Sequence, residues 1–245
     1  GNMGLMWSPD SKWLAYAKAA PNNFRRITLW SMETGRTCAL TDPMADAMSP
    51  VWDRDGHYIY FLASTNEALG SGWANTSAMQ AKPTYGAYMT VLRKDDPDPF
   101  PLKTDEEPDS TVKEIRKPRD STKAVRIDWD RIDARTLALP VPVSTYDQMV
   151  QGPKGSVFIG AGPSLSKFTI EGKKMDEFVK GGSDFVVSAN GEKLLFNSGG
   201  TWRVVSTARP PSPGEGSVPM TLRMLLDRQA EWAQIFEEAW RYEKE

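Results

Sequence analysis

A repeated sequence pattern constrains this chain more than any other feature. WSPDSKWLAYAK, residues 7–18, returns as VWDRDGHYIYFLA, residues 51–63. In the first copy the side chains alternate in polarity and size after the turn residues SPDSK, which is typical of a strand that follows a tight turn. The first copy continues with RRITLWSME and TGRTCALT, and the second with YGAYMTVLRKD and PFPLK, which supply further predicted strands. Each copy is therefore predicted to form one antiparallel sheet.

Two weaker copies follow. SVFIGAG, SLSKFTIEG and KKMDEFVKG form the third, with Gly155 and Gly172 at the predicted turns. DFVVS, KLLFN and TWRVVS form the fourth, with the turn signal Asn190-Gly191 between the first two segments. Repeats of about four strands are typical of β-propeller blades, which bury their faces only against neighbouring blades. We predict an all-β chain: a partial β-propeller of about four four-stranded blades over residues 1–208, an incomplete ring because closed propellers rarely have so few.

Irregular segments interrupt and follow these repeats. Residues 66–84 are rich in small side chains and are predicted to be an insertion within the second blade that overhangs one face of the ring. Residues 104–124 are charged and contain prolines, which predicts a second insertion, a solvated loop between the second and third blades. Residues 209–224 are rich in proline and glycine and are predicted to be a linker.

The period of the apolar residues changes after the linker. Over residues 225–245 they recur at spacings of three and four, which predicts an amphipathic helix; they are Leu225, Leu226, Ala230, Trp232, Ala233, Ile235, Phe236, Ala239 and Trp240. The apolar stripe of such a helix must pack against something. Two interpretations stay open: the helix lies back on the propeller, or it is the start of a following domain.

Composition excludes several classes of partner. The 30 basic and 32 acidic side chains leave a net charge of -2 without a long basic run, so no nucleic-acid partner is expected. No apolar run approaches the length of a membrane helix, so no membrane partner is expected. Cys38 is the only cysteine and cannot form an internal disulfide, so it does not indicate an oxidising compartment.

The residues that commonly carry catalysis are scarce. His57 is the only histidine, which excludes a histidine-based triad or a multi-histidine metal site within the chain, and its place between turn and strand predicts a structural role. Cys38 is predicted to be a small buried hydrophobic residue in a strand. Asp53 and Asp55 lack the remaining spacing of a calcium loop, so WDRDG is predicted to be an ordinary turn.

Three further aspartates, Asp128, Asp130 and Asp133, alternate along a predicted strand. The first two would share one face of that strand. A solvated surface is the favoured interpretation, and a site for a cation or a peptide amine is the alternative. The other acidic residues are explained most simply by solvation; they are Asp95, Asp96, Asp98 and residues 105–107. The glycines lack phosphate-loop spacing, and no Gly-x-Ser-x-Gly motif occurs. The residues predict no catalytic, cofactor-binding or metal-binding site.

Three stretches of the chain are distinctive when taken together. They are the blade motifs WSPDSKWLAYAK and LWSMETGRTCALT, the segment VRIDWDRIDARTLALPVPVSTY over residues 125–146, and the exit PGEGSVPMTLRMLLDRQAEWAQIFEEAWRYEKE. In this combination they resemble the tricorn-type peptidases. Many propellers of the TolB type share the blade motif, whereas LALPVP and EWAQIFEEAWR in this order are more specific. The resemblance covers essentially the whole chain. It implies the later blades of the family's second propeller, followed by the first helix of a core domain.

The resemblance also implies a function. In this family a serine peptidase trims peptides inside a hexameric shell, and its catalytic residues lie in domains downstream of residue 245. The segment is therefore expected to be non-catalytic and to route peptides through its central channel, with peptides, the other peptidase domains and further subunits as partners. First strands usually line such a channel; the candidate segments are Leu5 to Trp7, Ser49 to Trp52, Tyr146 to Gln151 and Phe185 to Ser188.

Two other functions compete with this one. The first is a stand-alone TolB-type propeller that binds a protein partner. The absence of catalytic residues favours this function, whereas the C-terminal helix disfavours it. A propeller hydrolase with its own site is disfavoured by the single histidine. A cytoplasmic location is expected, with the periplasm as the alternative compartment.

Overall fold

The four predicted blades are four separate antiparallel sheets. The structure is a computed structural model that describes residues 4–66, 82–101, 124–220, 223 and 225–244. Within these residues fifteen strands form the sheets, and every sheet is made of strands that are consecutive in sequence. The predicted all-β, partial-propeller architecture is confirmed.

The first two blades contain four strands each. The first blade consists of β1 (Met6–Trp7), β2 (Trp13–Ala19), β3 (Arg25–Ser31) and β4 (Thr37–Ala39). The second blade consists of β5 (Asp46–Trp52), β6 (Tyr58–Ser64), β7 (Gly86–Val91) and β8 (Thr136–Ala138).

The last two blades differ in their number of strands. The third blade consists of β9 (Gln148–Gln151), β10 (Ser156–Ala161), β11 (Ser164–Thr169) and β12 (Lys174–Val179). The fourth consists of β13 (Ser183–Val187), β14 (Lys193–Ser198) and β15 (Thr201–Ser206). Gly155 and Gly191 adopt φ values of 68° and 79° in the turns before β10 and β14, as the predicted hairpins require.

The outer strand of the second blade was predicted in the wrong place. PFPLK was expected to supply it, but β8 pairs with β7 through Met89 and Leu137, after the charged insertion. Phe100 packs instead against the core between the second and third blades, with its ring 6.3 Å from that of Phe168. The charged insertion, residues 104–124, therefore falls between the third and fourth strands of one blade and not between two blades, although all but its last residue lie outside the described ranges.

In the fourth blade, part of the predicted linker lies beside the outer described strand, β15. Ser217 forms an isolated bridge with Arg203, and the Val204 N–H donates to the Gly216 carbonyl at 2.8 Å. Gly216 has a φ of 71°, and an added Cβ would lie 2.2 Å from the Val204 carbonyl oxygen. Only glycine fits this approach of the two backbones.

Hydrophobic cores lie between successive blades. Ile27 and Trp52 belong to the core between the first and second blades, and Tyr60 and Phe168 to the next. Phe158 belongs to a third core between the last two blades. Strand β6 is therefore buried on both faces, which explains its continuous apolar sequence YIYFLA. Each blade depends on its neighbours for burial, as the repeat predicted.

The C-terminal helix, α1, spans Arg228–Lys244. It begins later than predicted, because the Asp227 carboxylate caps it by accepting the Gln229 and Ala230 N–H groups at 3.0 and 3.3 Å. None of its residues is buried, so its apolar stripe does not pack on the blades. Among the described residues, no helix combines the length and apolarity needed to cross a membrane.

Candidate functional site: the inner strands and their turns

The first strands of the four sheets lie next to one another. Each is an edge strand of its own sheet, and β1 contacts β5, β5 contacts β9, and β9 contacts β13. These four strands, which we call the inner strands, therefore converge as the first strands of propeller blades do. They contain most of the segments that the sequence predicted as channel-lining; the structure brings together Leu5 to Trp7, Ser49 to Trp52, Tyr146 to Gln151 and Phe185 to Ser188.

Hydrogen bonds connect three of the inner strands. The Trp52 indole Nε1–H donates to the Met6 carbonyl at 3.0 Å, and the Gln151 amide Nε2–H donates to the Trp52 carbonyl at 2.9 Å. The Met149 N–H donates to Ser49 Oγ at 2.7 Å. Because these bonds join different blades, they fix the spacing of the inner strands as well as satisfying polar groups.

A left-handed backbone conformation recurs at three of the inner strands, within β5 and β13 and two residues before the start of β1. Gly4, Ser49 and Asp184 have φ values of 56°, 54° and 55°, and each lies three residues before the end of its inner strand. In β5 and β13 the pairing register shifts at this point, which is the mark of a β-bulge. A left-handed conformation costs a residue other than glycine about 1–2 kcal/mol, and at Ser49 the bond to Met149 offsets part of that cost.

Sequence reasoning missed these bulges. The signal is a glycine, serine or aspartate three residues before the end of the first strand in three of the four copies, which an alignment of the copies to one another shows. In the third copy Gln148 takes this place, and it is not among the residues with positive φ. The bulges re-aim the inner strands where they approach one another, as bulges near functional sites often do.

The side chains of the inner strands are only partly buried in the cores between blades: five of the seven residues of β5 are buried, but one of four in β9, one of five in β13 and neither residue of β1. Trp52, Met149 and Phe185 are buried, whereas Trp7 and Val186 are 48% and 56% exposed on the two outermost blades. As edge strands, all four leave one side of their backbone unpaired within their own sheets. An edge strand presents N–H and C=O groups that can pair with an extended peptide, and Pro50, which lacks an N–H, fits such an edge position.

The turns that follow the inner strands are joined by one guanidinium. Arg54, in the turn after β5, donates from Nε to the Gly152 carbonyl at 2.7 Å and from Nη2 to the Ser188 carbonyl at 3.0 Å, and it also reaches the Ala189 carbonyl. Partial burial lowers the pKa of Arg54, which stays charged at neutral pH. Three blades are thus connected at one end of the inner strands.

An ion pair lies beside this cluster. Lys154 Nζ, in the turn after β9, is 2.7 Å from Asp55 Oδ2 in the turn after β5. We call the turns after β5, β9 and β13, with Arg54 and this ion pair, the turn cluster. Neither Arg54 nor Lys154 was singled out from sequence, because their partners are distant in the chain.

Asp53 and His57 occupy structural positions at the second blade. The Asp53 carbonyl accepts the Gly56 N–H at 3.0 Å, which closes the turn predicted for WDRDG. Burial raises the pKa of the Asp53 carboxyl. His57 is buried, and its Nδ1 lies 2.6 Å from Asp96 Oδ2, so it connects the start of β6 to the segment after β7. This is the structural role predicted for His57. Asp96, which was explained from sequence by solvation alone, is the partner of His57 in this contact.

The strand predicted around Asp128 is absent. Residues 124–132 form no strand, so Asp128 and Asp130 do not share a strand face, and Asp133 begins a short 3-10 helix. A hydrogen bond from the Lys94 N–H, at 3.1 Å, lowers the pKa of the Asp128 carboxyl, assisted by Arg126. Cys38 is half-buried in β4. Within the described ranges no three His, Cys, Asp or Glu side chains are placed to hold a metal ion; residues 105–107 lie outside those ranges.

The sheets and their converging first strands define the chain as part of a β-propeller. Residues 2–208 match the model of the tricorn protease second β-propeller domain, and the chain belongs to that family. It is 23% identical to tricorn protease homolog 1 of Streptomyces coelicolor over 97% of its own length. The crystal structure of the tricorn protease superposes on 96% of this chain with a TM-score of 0.65 and 17% sequence identity.

The chain spans a small part of these proteins. It covers 25% of the Streptomyces coelicolor relative and 24% of the tricorn protease chain. The crystal structure of TolB from Acinetobacter baumannii matches 83% of this chain, which covers 40% of the TolB chain, with a TM-score of 0.50 and 14% identity. At that identity the likeness shows the fold alone.

Proposed function

We propose that this chain is a non-catalytic propeller segment of a serine peptidase, which routes extended peptides along its inner strands to an active site in other domains. The observation that carries the proposal is the convergence of four edge strands in a member of the tricorn propeller family. The partners that follow are peptide substrates, the remaining peptidase domains and further subunits of the same kind.

The inner strands suit an extended chain better than a folded one. Each is an edge strand, so the backbone groups along its free edge are unpaired within its own sheet and can contact a passing peptide, together with the turn cluster. Backbone pairing is insensitive to peptide sequence, as a route for many peptides requires. A folded domain cannot present its own paired backbone in this way.

The position of the only histidine agrees with the same proposal. The only histidine, His57, is buried beside Asp96 as part of the blade. A hydrolase of the serine–histidine type needs a histidine within hydrogen-bond reach of a nucleophile and open to substrate. We therefore expect the isolated chain to leave a fluorogenic peptide uncleaved.

The test uses the complete native enzyme that contains this chain and places a bulky residue at the turn cluster. Lys154→Trp adds a large side chain there, and Lys174→Trp is the matched control on the outer strand β12. Both lysines are exposed, at 66% and 72%, and both pair with an aspartate. We expect Lys154→Trp to lower kcat/KM severalfold for a long unfolded peptide and much less for a short one, and Lys174→Trp to change neither.

Unchanged cleavage of both peptides by the Lys154→Trp enzyme would contradict routing past the turn cluster. The stand-alone binding module is the competing function, and it predicts that the native polypeptide carries no peptidase activity. A cytoplasmic location is a further proposal, which fractionation of the source cells would test.

A further inference from the structure

A cavity of about 450 Å³ lies between the first and second blades and reaches the inner strands only at Ala47, near the start of β5. Its walls come from the connection after β4 and from strands β5 to β8. The outer strand β4 has only three residues, so it leaves this part of the second blade uncovered. The volume lies within the range of pockets that bind small ligands or short peptide segments.

The floor of the cavity is apolar and aromatic. The rings of Phe61 and Tyr88, on neighbouring strands, stack with centroids 5.9 Å apart and planes 17° from parallel. Ala47 and Ala63 stand beside them, and their small side chains leave the space open. An aliphatic or aromatic side chain would bury its surface against this floor, and a guanidinium would stack on the Tyr88 ring.

The rim carries carboxylates without opposing cations. Asp42 and Asp133 line the cavity and are exposed, and among the described lining residues there is no lysine, arginine or histidine. Asp42 is held in place because its Oδ1 accepts the Met44 N–H at 2.7 Å. A cationic ligand would therefore meet two acceptors, whereas an acidic ligand would meet only repulsion.

The remaining wall is built by a reciprocal polar contact. The Thr84 N–H donates to Asn66 Oδ1 at 3.0 Å, and Asn66 Nδ2–H donates to Thr84 Oγ1 at 3.1 Å. These bonds fix the wall without adding charge. The cavity thus combines an aromatic floor, a neutral fixed wall and an acidic rim.

We infer that this cavity binds a peptide segment that carries a basic side chain beside an apolar one. The inference stands on the cavity alone and holds whether or not the inner strands route peptides. It assigns to the groove between two blades a binding site that is separate from the turn cluster and shares only Ala47 with the inner strands.

The probe is N-acetyl-phenylalanyl-arginine amide, titrated calorimetrically into the 245-residue chain. The comparison ligand replaces arginine by citrulline, which keeps the shape and removes the charge. We expect the arginine peptide to bind about tenfold more tightly than the citrulline peptide, as the loss of a charge-assisted hydrogen bond implies.

Three variants and one control locate the site. Asp42→Asn and Asp133→Asn should each weaken the arginine peptide by about three- to tenfold and reduce its advantage over citrulline. Ala63→Leu should abolish binding by filling the floor, with thermal unfolding as the check on folding. Asp130→Asn removes an exposed carboxylate that does not line the cavity and should leave binding unchanged.

Three results would overturn the inference. These are equal binding of the arginine and citrulline peptides, binding that survives Ala63→Leu in a folded protein, and no heat from either peptide at millimolar concentration. If Ala63→Leu fails to fold, the two aspartate variants decide the question, because they change charge without changing volume. No peptidase activity is measured, so failure here leaves the proposed function untouched.

Discussion

Arg54 should be worth more to stability than an ordinary exposed arginine, because its guanidinium is bonded to the backbone of two other blades. The perturbation is Arg54→Met, which keeps an unbranched apolar chain like the aliphatic part of arginine and removes all donors. The Gly152 residue is buried, so its carbonyl would lose its partner away from water, whereas Ala189 is exposed and its carbonyl would be hydrated. The unsatisfied Gly152 carbonyl and the loss of the two partly exposed bonds to Ser188 and Ala189 should together lower the free energy of unfolding by about 2–4 kcal/mol.

The assay is urea unfolding followed by tryptophan fluorescence and circular dichroism, with Arg36→Met as the matched control, since Arg36 is exposed. We expect Arg54→Met to lower the free energy of unfolding by the stated amount and Arg36→Met to change it by less than about 0.5 kcal/mol. Arg54→Lys should fall in between, because an ammonium cannot donate in the same planar arrangement. If the two methionine variants unfold at the same urea concentration, the role assigned to the turn cluster is wrong.

Three further predictions concern single residues. Burial opposes ionisation of Asp46, but hydrogen bonds and charge from Arg25 outweigh it and hold the pKa of Asp46 below 3.8. Asp46→Asn should therefore lower the free energy of unfolding by about 2 kcal/mol at pH 7. Urea titrations should show this loss shrinking as the pH falls below 3.8. Burial raises the pKa of Asp53 above 3.8, so its protonated form favours the fold and that stability is lost as the pH rises. Asp53→Asn should therefore raise Tm at pH 7 and match the parent near pH 3, and a lower Tm at pH 7 would refute this. Gly216→Ala should speed hydrogen exchange of the Val204 N–H, and unchanged exchange would contradict the close backbone approach.

Most strands could be predicted because every propeller blade is an antiparallel sheet that buries its faces against its neighbours, so the same sequence pattern recurs in each copy. Turn residues and alternation located β2, β10 and β14 well, since each is followed or preceded by a short turn of known chemistry. The outer strand of the second blade was missed because β8 has only three residues and follows a long insertion. A strand so short is defined by its partner β7 and not by its own sequence.

The site could be predicted only in outline. Being the first strand of a repeat is a sequence property, so the inner strands were found, and the structure places them side by side. The bonds of Arg54 join the second blade to the third and fourth across a long stretch of sequence, which no local pattern records. The cavity between the first two blades was missed for a similar reason, because it depends on the shortness of β4 and on alanines that face it from another sheet.

The central claim, that this propeller segment serves a peptidase, is tested most directly by the intact mass of the native polypeptide and the activity that purifies with it. We predict a product several times larger than 27.3 kDa that cleaves peptides. A native product of 27.3 kDa, with no peptidase activity of its own or of any associated polypeptide, would contradict the account.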